Sequence, residues 1–182
     1  MFEISSVHTS TQQGKRHVKL RLPRLATAAS AATLAMCGLV AMPATASAAA
    51  ASDCSSKQHK AFDTLGANLD VYITLCVYRD SNSDYHATAN VSWTDGNQGS
   101  NGGMEKLYVE VRLERNDTVY KKNTTNYSNV TNAYSSGSGS NSTAEYHSST
   151  TGGWTADGTV TWNVDLDGEG DGTWDLTGSP SI

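Results

Sequence analysis

Asp165, Asp167, Glu169 and Asp171 recur at every second position with Gly168, Gly170 and Gly172 beside them, and alternating carboxylates in a glycine-rich tract are what a hard cation such as calcium requires. With Asp165 as the first ligand of an EF-hand loop, Asp167 and Glu169 take the third and fifth places and Gly170 the sixth. The twelfth, which needs a bidentate glutamate, is Leu176. The same residues also suit a tight hairpin turn, in which glycines supply positive φ and aspartates accept hydrogen bonds from their own backbone. The turn is the favoured expectation and calcium the alternative.

Other chemistry is thinly represented. The chain has no serine-nucleophile elbow, no HExxH and no phosphate-binding glycine loop. His59, His86 and His147 stand among polar residues and read as surface side chains. A glycosidase pair needs two carboxylates across a cleft, one with a raised pKa, yet most carboxylates here fall in turns or on outward strand positions. No catalytic residues are expected. Trp154, Trp174 and several tyrosines read as exposed rings on which a sugar would stack, whereas Trp93 and Trp162 alternate with core positions.

The elements that would carry these side chains are strands. Val71, Ile73, Leu75 and Val77 alternate with Tyr72, Thr74, Cys76 and Tyr78, the period of a strand with one buried face. Tyr85 to Thr94 repeats the pattern, and Glu105 to Arg115 carries it most cleanly, with Leu107, Val109, Val111 and Leu113 inward. Asn116-Asp117 should turn this strand into Thr118 to Tyr127 as a hairpin. Asn129 to Ser149 is Ser/Asn/Gly/Thr-rich and reads as a mobile loop around Gly137-Ser138-Gly139, with a short edge strand near Thr143 to Ser148. Gly158 to Leu176 should form strand, acidic turn and strand.

Six or seven short strands with no helical period predict an all-β fold, a β-sandwich of Ig-like or jelly-roll type, with a small barrel as runner-up. The expected core is Val71, Ile73, Leu75, Val77, Val91, Trp93, Leu107, Val109, Val111, Leu113, Val160, Trp162, Val164 and Leu166. Residues 67–182 form this domain. Residues 51–66 are a polar arm, helical or irregular, anchored by Phe62 and Leu65 and pinned over the tyrosine face of the first long strand.

Residues 1–50 have the layout of an export signal: Lys15, Arg16, Lys19, Arg21 and Arg24, then an alanine-rich apolar run to Met42, Pro43, and the small-x-small site Ala46-Ser47-Ala48. Removal of that segment predicts a secreted, extracellular chain with two remaining cysteines, Cys54 and Cys76, most simply a disulfide. From Asp53 to Ile182 eight Lys/Arg face seventeen Asp/Glu, a net of −9. Nucleic acid and anionic membrane are therefore excluded as expected partners, because both are held by basic patches.

The basic leader, alanine-rich signal and small acidic domain with one pair formed by Cys54 and Cys76 resemble small secreted actinomycete proteins. Within that group the strand layout is similar to the adaptor subunits of secreted umbrella-shaped antibacterial toxin particles. The resemblance implies a compact β-protein joining other secreted proteins in an assembly. The leading expectation is thus a non-enzymatic binding or adaptor module, whose polar strands a partner's edge could extend. The alternatives are a carbohydrate- or cell-wall-binding module and an enzyme inhibitor presenting the loop Asp95 to Gly103.

Overall fold

The computed structural model describes residues 48–65, 67–96 and 103–182. Two antiparallel sheets pack face to face as an all-β sandwich. The first is built on β3 (Leu69–Arg79) and β4 (Asp84–Thr94), paired along nearly their whole length. On the far side of β3 lie β1 (Ala51–Cys54) and β2 (Gln58–Phe62); on the far side of β4 lie β7 (Gly137–Ser142) and β8 (Tyr146–His147). The second sheet runs in the order β10 (Gly172–Asp175), β9 (Trp154–Val164), β5 (Met104–Arg115), β6 (Thr118–Asn126). One short helix, α1 (Ser128–Ala133), follows β6.

Alternation explains the layers. Leu69, Val71, Ile73, Leu75 and Val77 of β3 are buried against Leu107, Val109, Val111 and Leu113 of β5 and Val160 and Val164 of β9. Each such side chain contributes about 1.5 to 3 kcal/mol of burial. Opposite parity leaves Asp70, Tyr72, Thr74, Cys76 and Tyr78 on the outer face of the first sheet.

Several expectations change. The arm 51–66 is strand rather than helix or irregular chain: β1 and β2 pair along the edge of β3 instead of lying across its tyrosine face. Cys54 stands directly opposite Cys76, and the two form the expected disulfide. Between β1 and β2 the register slips by one residue, from Cys54 opposite Cys76 to Gln58 opposite Ile73, which defines a β-bulge at Ser55-Ser56-Lys57. Ser55 fastens it, its hydroxyl accepting from the Leu75 amide at 3.0 Å while its own amide donates to the Leu75 carbonyl at 2.8 Å.

The tract read as a mobile loop is α1 followed by β7. Its glycines face inward because rings occupy the space: a Cβ at Gly137 would collide with the Trp93 indole, and one at Gly139 would sit 2.9 Å from the Tyr127 ring. Two of the four tryptophans also exchange roles. Trp154, expected outside, is 1% exposed and stacks on Tyr85 at 4.5 Å, whereas Trp162 is only partly buried. Leu166, expected in the core, is 70% exposed. Among the described residues no helix is long and apolar enough to cross a membrane. The export segment 1–50 falls almost wholly outside the described residues, as do positions 97–102 of the Asp95 to Gly103 loop.

Candidate functional site: an aromatic groove with an acidic rim

The acidic tract opens one end of the sandwich. β9 stops at Val164, where the Asp165 amide donates to the Gly103 carbonyl at 2.8 Å, and the chain turns at Leu166 and Gly168, both at positive φ (65° and 73°). Asp167 behaves as a turn aspartate, its Oδ1 accepting from the Glu169 amide at 2.8 Å. Asp171 is engaged elsewhere: both of its oxygens accept from Lys106 Nζ at 2.9 Å, and Oδ1 also accepts from Asn163 Nδ2 at 3.2 Å. The Lys106 hydrogen bond holds the Asp171 carboxyl below the ordinary carboxylate range. Leu176, at the place of a twelfth calcium ligand, is in the core. Asp165, Asp167, Glu169 and Asp171 therefore do not converge, and among the described residues no three His, Cys, Asp or Glu side chains form a metal-binding group.

These side chains instead border a groove. Phe62, ending β2, meets Trp162 of β9 edge to face with ring centroids 5.2 Å apart. The Trp162 indole lies over Gly172, where any side chain would collide with it. Lys60 Nζ stands 5.3 Å from the indole centroid. A cleft of about 320 Å3 is lined by Phe62, Trp162 and Lys60 with Asp63, Asp167 and Glu169. It adjoins a second hollow of about 220 Å3 lined by Leu65, Asp165 and Leu166, and the two share Asp63, Val164 and Asp167. The rim is strongly anionic, with four carboxylates (Asp63, Asp165, Asp167, Glu169) against the single ammonium of Lys60.

Leu65 and Leu166 are unusual for a surface turn. They are 56% and 70% exposed and flank the same hollow. Leu166 further holds a left-handed backbone that a branched apolar residue adopts at a cost of order 1 kcal/mol. A strained, solvent-facing leucine contributes nothing to the core.

The remaining charged groups are structural in geometry. On the outer face of the second sheet Arg112 sits among Glu114 (2.6 Å), Glu110 (3.3 Å) and Asp157 (3.4 Å), and Lys122 reaches Glu110 at 3.2 Å. Burial pushes the Glu110 carboxyl up, but Lys122 and Arg112 together outweigh it and hold it low, the opposite of what a general acid needs. His59 and His147 pair with Asp70 and Asp84, and His86 stacks on Tyr78 at 4.9 Å. Trp174, expected exposed, is half-buried against the core, and Trp154 is closed in by Tyr120 and Tyr146. Sequence reasoning missed the groove because it counted Leu166 and Trp162 inward by parity. The positive φ at Leu166, which ends the parity, has no signature in a leucine. No family model, no curated protein and no solved structure matches the chain.

Proposed function

We propose that the protein is a secreted, non-enzymatic binding module, an adaptor in an extracellular assembly such as an antibacterial toxin particle, and that it holds a partner protein in the end groove. The observation that carries this reading is Leu166, a large apolar side chain presented to solvent on a strained turn beside an aromatic cleft. Strain kept at an exposed position marks a contact made with another molecule. The partner's chemistry follows from complementarity: apolar side chains for Phe62, Trp162, Leu65 and Leu166, and lysine or arginine for the carboxylate rim. Lys60, over the indole, would be displaced outward by such a segment.

Photo-crosslinking groups placed at Leu65 and at Leu166 test it in the native culture fluid, with a control group at Thr124 on β6. Discrete adducts from the two groove positions, weakened at high salt and competed by unlabelled protein but not by its Leu166→Asn variant, support the reading. Absence of adducts, or the same adducts from Thr124, would sink it.

A further inference from the structure

The outer face of the first sheet carries a second hollow that shares no residue with the groove. Register puts its floor in order. Tyr72, Ser92 and Ser138 stand side by side across β3, β4 and β7, and Thr74, Asn90 and Ser140 form the next row. Rows in a sheet repeat about every 6.8 Å along the strand and neighbours stand about 4.8 Å apart, so hydroxyl and amide groups are set out at fixed intervals. Small side chains on β4 and β7 leave the space above them open, a concavity of about 420 Å3, within the size range of small-ligand sites.

Its wall is built by the bulge between β1 and β2. The extra residue brings Lys57 over this face, with Nζ 4.4 Å from the Tyr72 ring centroid. Tyr72 is held in turn by His59, which stacks on it at 4.7 Å and is itself fixed by Asp70 through a 2.6 Å contact. The wall is thus in position before any ligand arrives. Lys57 has no ion pair among the described residues, and no carboxylate lines the hollow, although acidic residues outnumber basic ones two to one from Asp53 onward.

We propose that this hollow binds an oligosaccharide carrying carboxylate groups. The hydroxyl rows and Asn90 take sugar hydroxyls, which both donate and accept, and Lys57 takes a uronate carboxylate as a charge-assisted hydrogen bond. A dense polyanion is disfavoured by the protein's net negative charge, whereas a spaced sugar acid is not. The adaptor would then bridge a protein in its groove to an acidic glycan on its face.

Amide NMR titration of the whole protein with an oligogalacturonate, and with a neutral cello-oligosaccharide, tests this. The Ser92, Ser138 and Ser140 amides should shift with the acidic sugar. Lys57→Gln should weaken its binding about tenfold and so narrow the acidic sugar's advantage over the neutral one, and Ser140→Tyr should abolish both. Lys57 is on the surface, so its variant keeps the fold if the tyrosine variant does not. Unmoved amides with either sugar up to about 10 mM, shifts centred on Phe62 and Trp162 instead, or equal affinity of Lys57→Gln for the acidic sugar would each overturn the proposal.

Discussion

The Gln58 carboxamide reads the backbone of Thr177 as a neighbouring strand would: Nε2 donates to the Thr177 carbonyl at 2.9 Å and Oε1 accepts from the Thr177 amide at 2.6 Å. The two residues are 119 positions apart: Gln58 opens β2 of the first sheet, and Thr177 follows the end of β10 of the second. On the opposite flank Asn141 Nδ2 donates to the Asn123 carbonyl at 3.2 Å and Asn123 Nδ2 to the Ser142 carbonyl at 2.9 Å. Side-chain amides therefore close both flanks of the sandwich where, among the described residues, no strand pairing crosses from sheet to sheet.

Gln58→Ala should cost about 1 to 2 kcal/mol of unfolding free energy, the worth of two hydrogen bonds at a partly solvated site. Urea denaturation measures it. In a Thr177→Pro background, which already lacks the amide donor, the same substitution should cost about half as much, and an undiminished cost would assign the effect to packing.

Leu166→Asn should raise stability or leave it unchanged, because asparagine tolerates the left-handed backbone and the lost side chain buries little. Capture of the partner should fall at the same time. A variant destabilised by more than about 1 kcal/mol in thermal melts would show that Leu166 packs in a way its exposure does not reveal.

Arg112→Met should destabilise by about 3 kcal/mol, since it strands the buried Glu114 carboxylate beside Glu110 and Asp157. The deficit should shrink toward acid, because Arg112 helps to hold the Glu110 carboxyl low and that part of the parent's stability is itself lost as pH falls. For the parent protein the sign is the reverse. Asp80, held by the Asp84 amide, Asp171, held by Lys106, and Glu110, in which its cations outweigh burial, all titrate below their ordinary values of 3.8 and 4.5. Their contribution to stability is complete above those values and is lost as pH falls through the lower folded ones. Urea midpoints measured across the acid range should decline from near pH 4.5 downward; a flat profile would contradict the pairing.

Millimolar calcium should leave the melting temperature of the protein unchanged, and likewise that of an Asp165→Ala/Asp167→Ala double variant. Asp171 is satisfied by Lys106 and Asn163 and Asp167 by its own turn, so a cation would have to displace existing bonds. A calcium-dependent rise in the parent that the double variant abolishes would restore the metal reading.

The long strands were legible because each buries one face over eleven or twelve residues, as in β3, β4 and β5. β7 was not, since its inward positions are Gly137, Gly139 and Asn141, chosen to clear two aromatic rings and to bridge to the second sheet, and they carry no hydrophobic signal. The six residues of α1 are too few and too polar to show a helical period. Trp154 was readable after all: stepping back by twos from Val160 passes through Gly158 and Ala156 to reach it on the same face. The groove was not, because it depends on where β9 stops, and the backbone conformation of Leu166 rather than any residue type decides that.

The one-residue bulge that separates β1 from β2 has its counterpart across the sheet, where β7 and β8 are likewise two pieces alongside β4. Neither margin of the first sheet offers a foreign strand an unbroken ladder, and short, interrupted margins are how β-proteins avoid coalescing with one another. The first sheet thus gives strand addition no continuous template at either margin, and the contacts proposed above fall on its face and at the end of the sandwich instead.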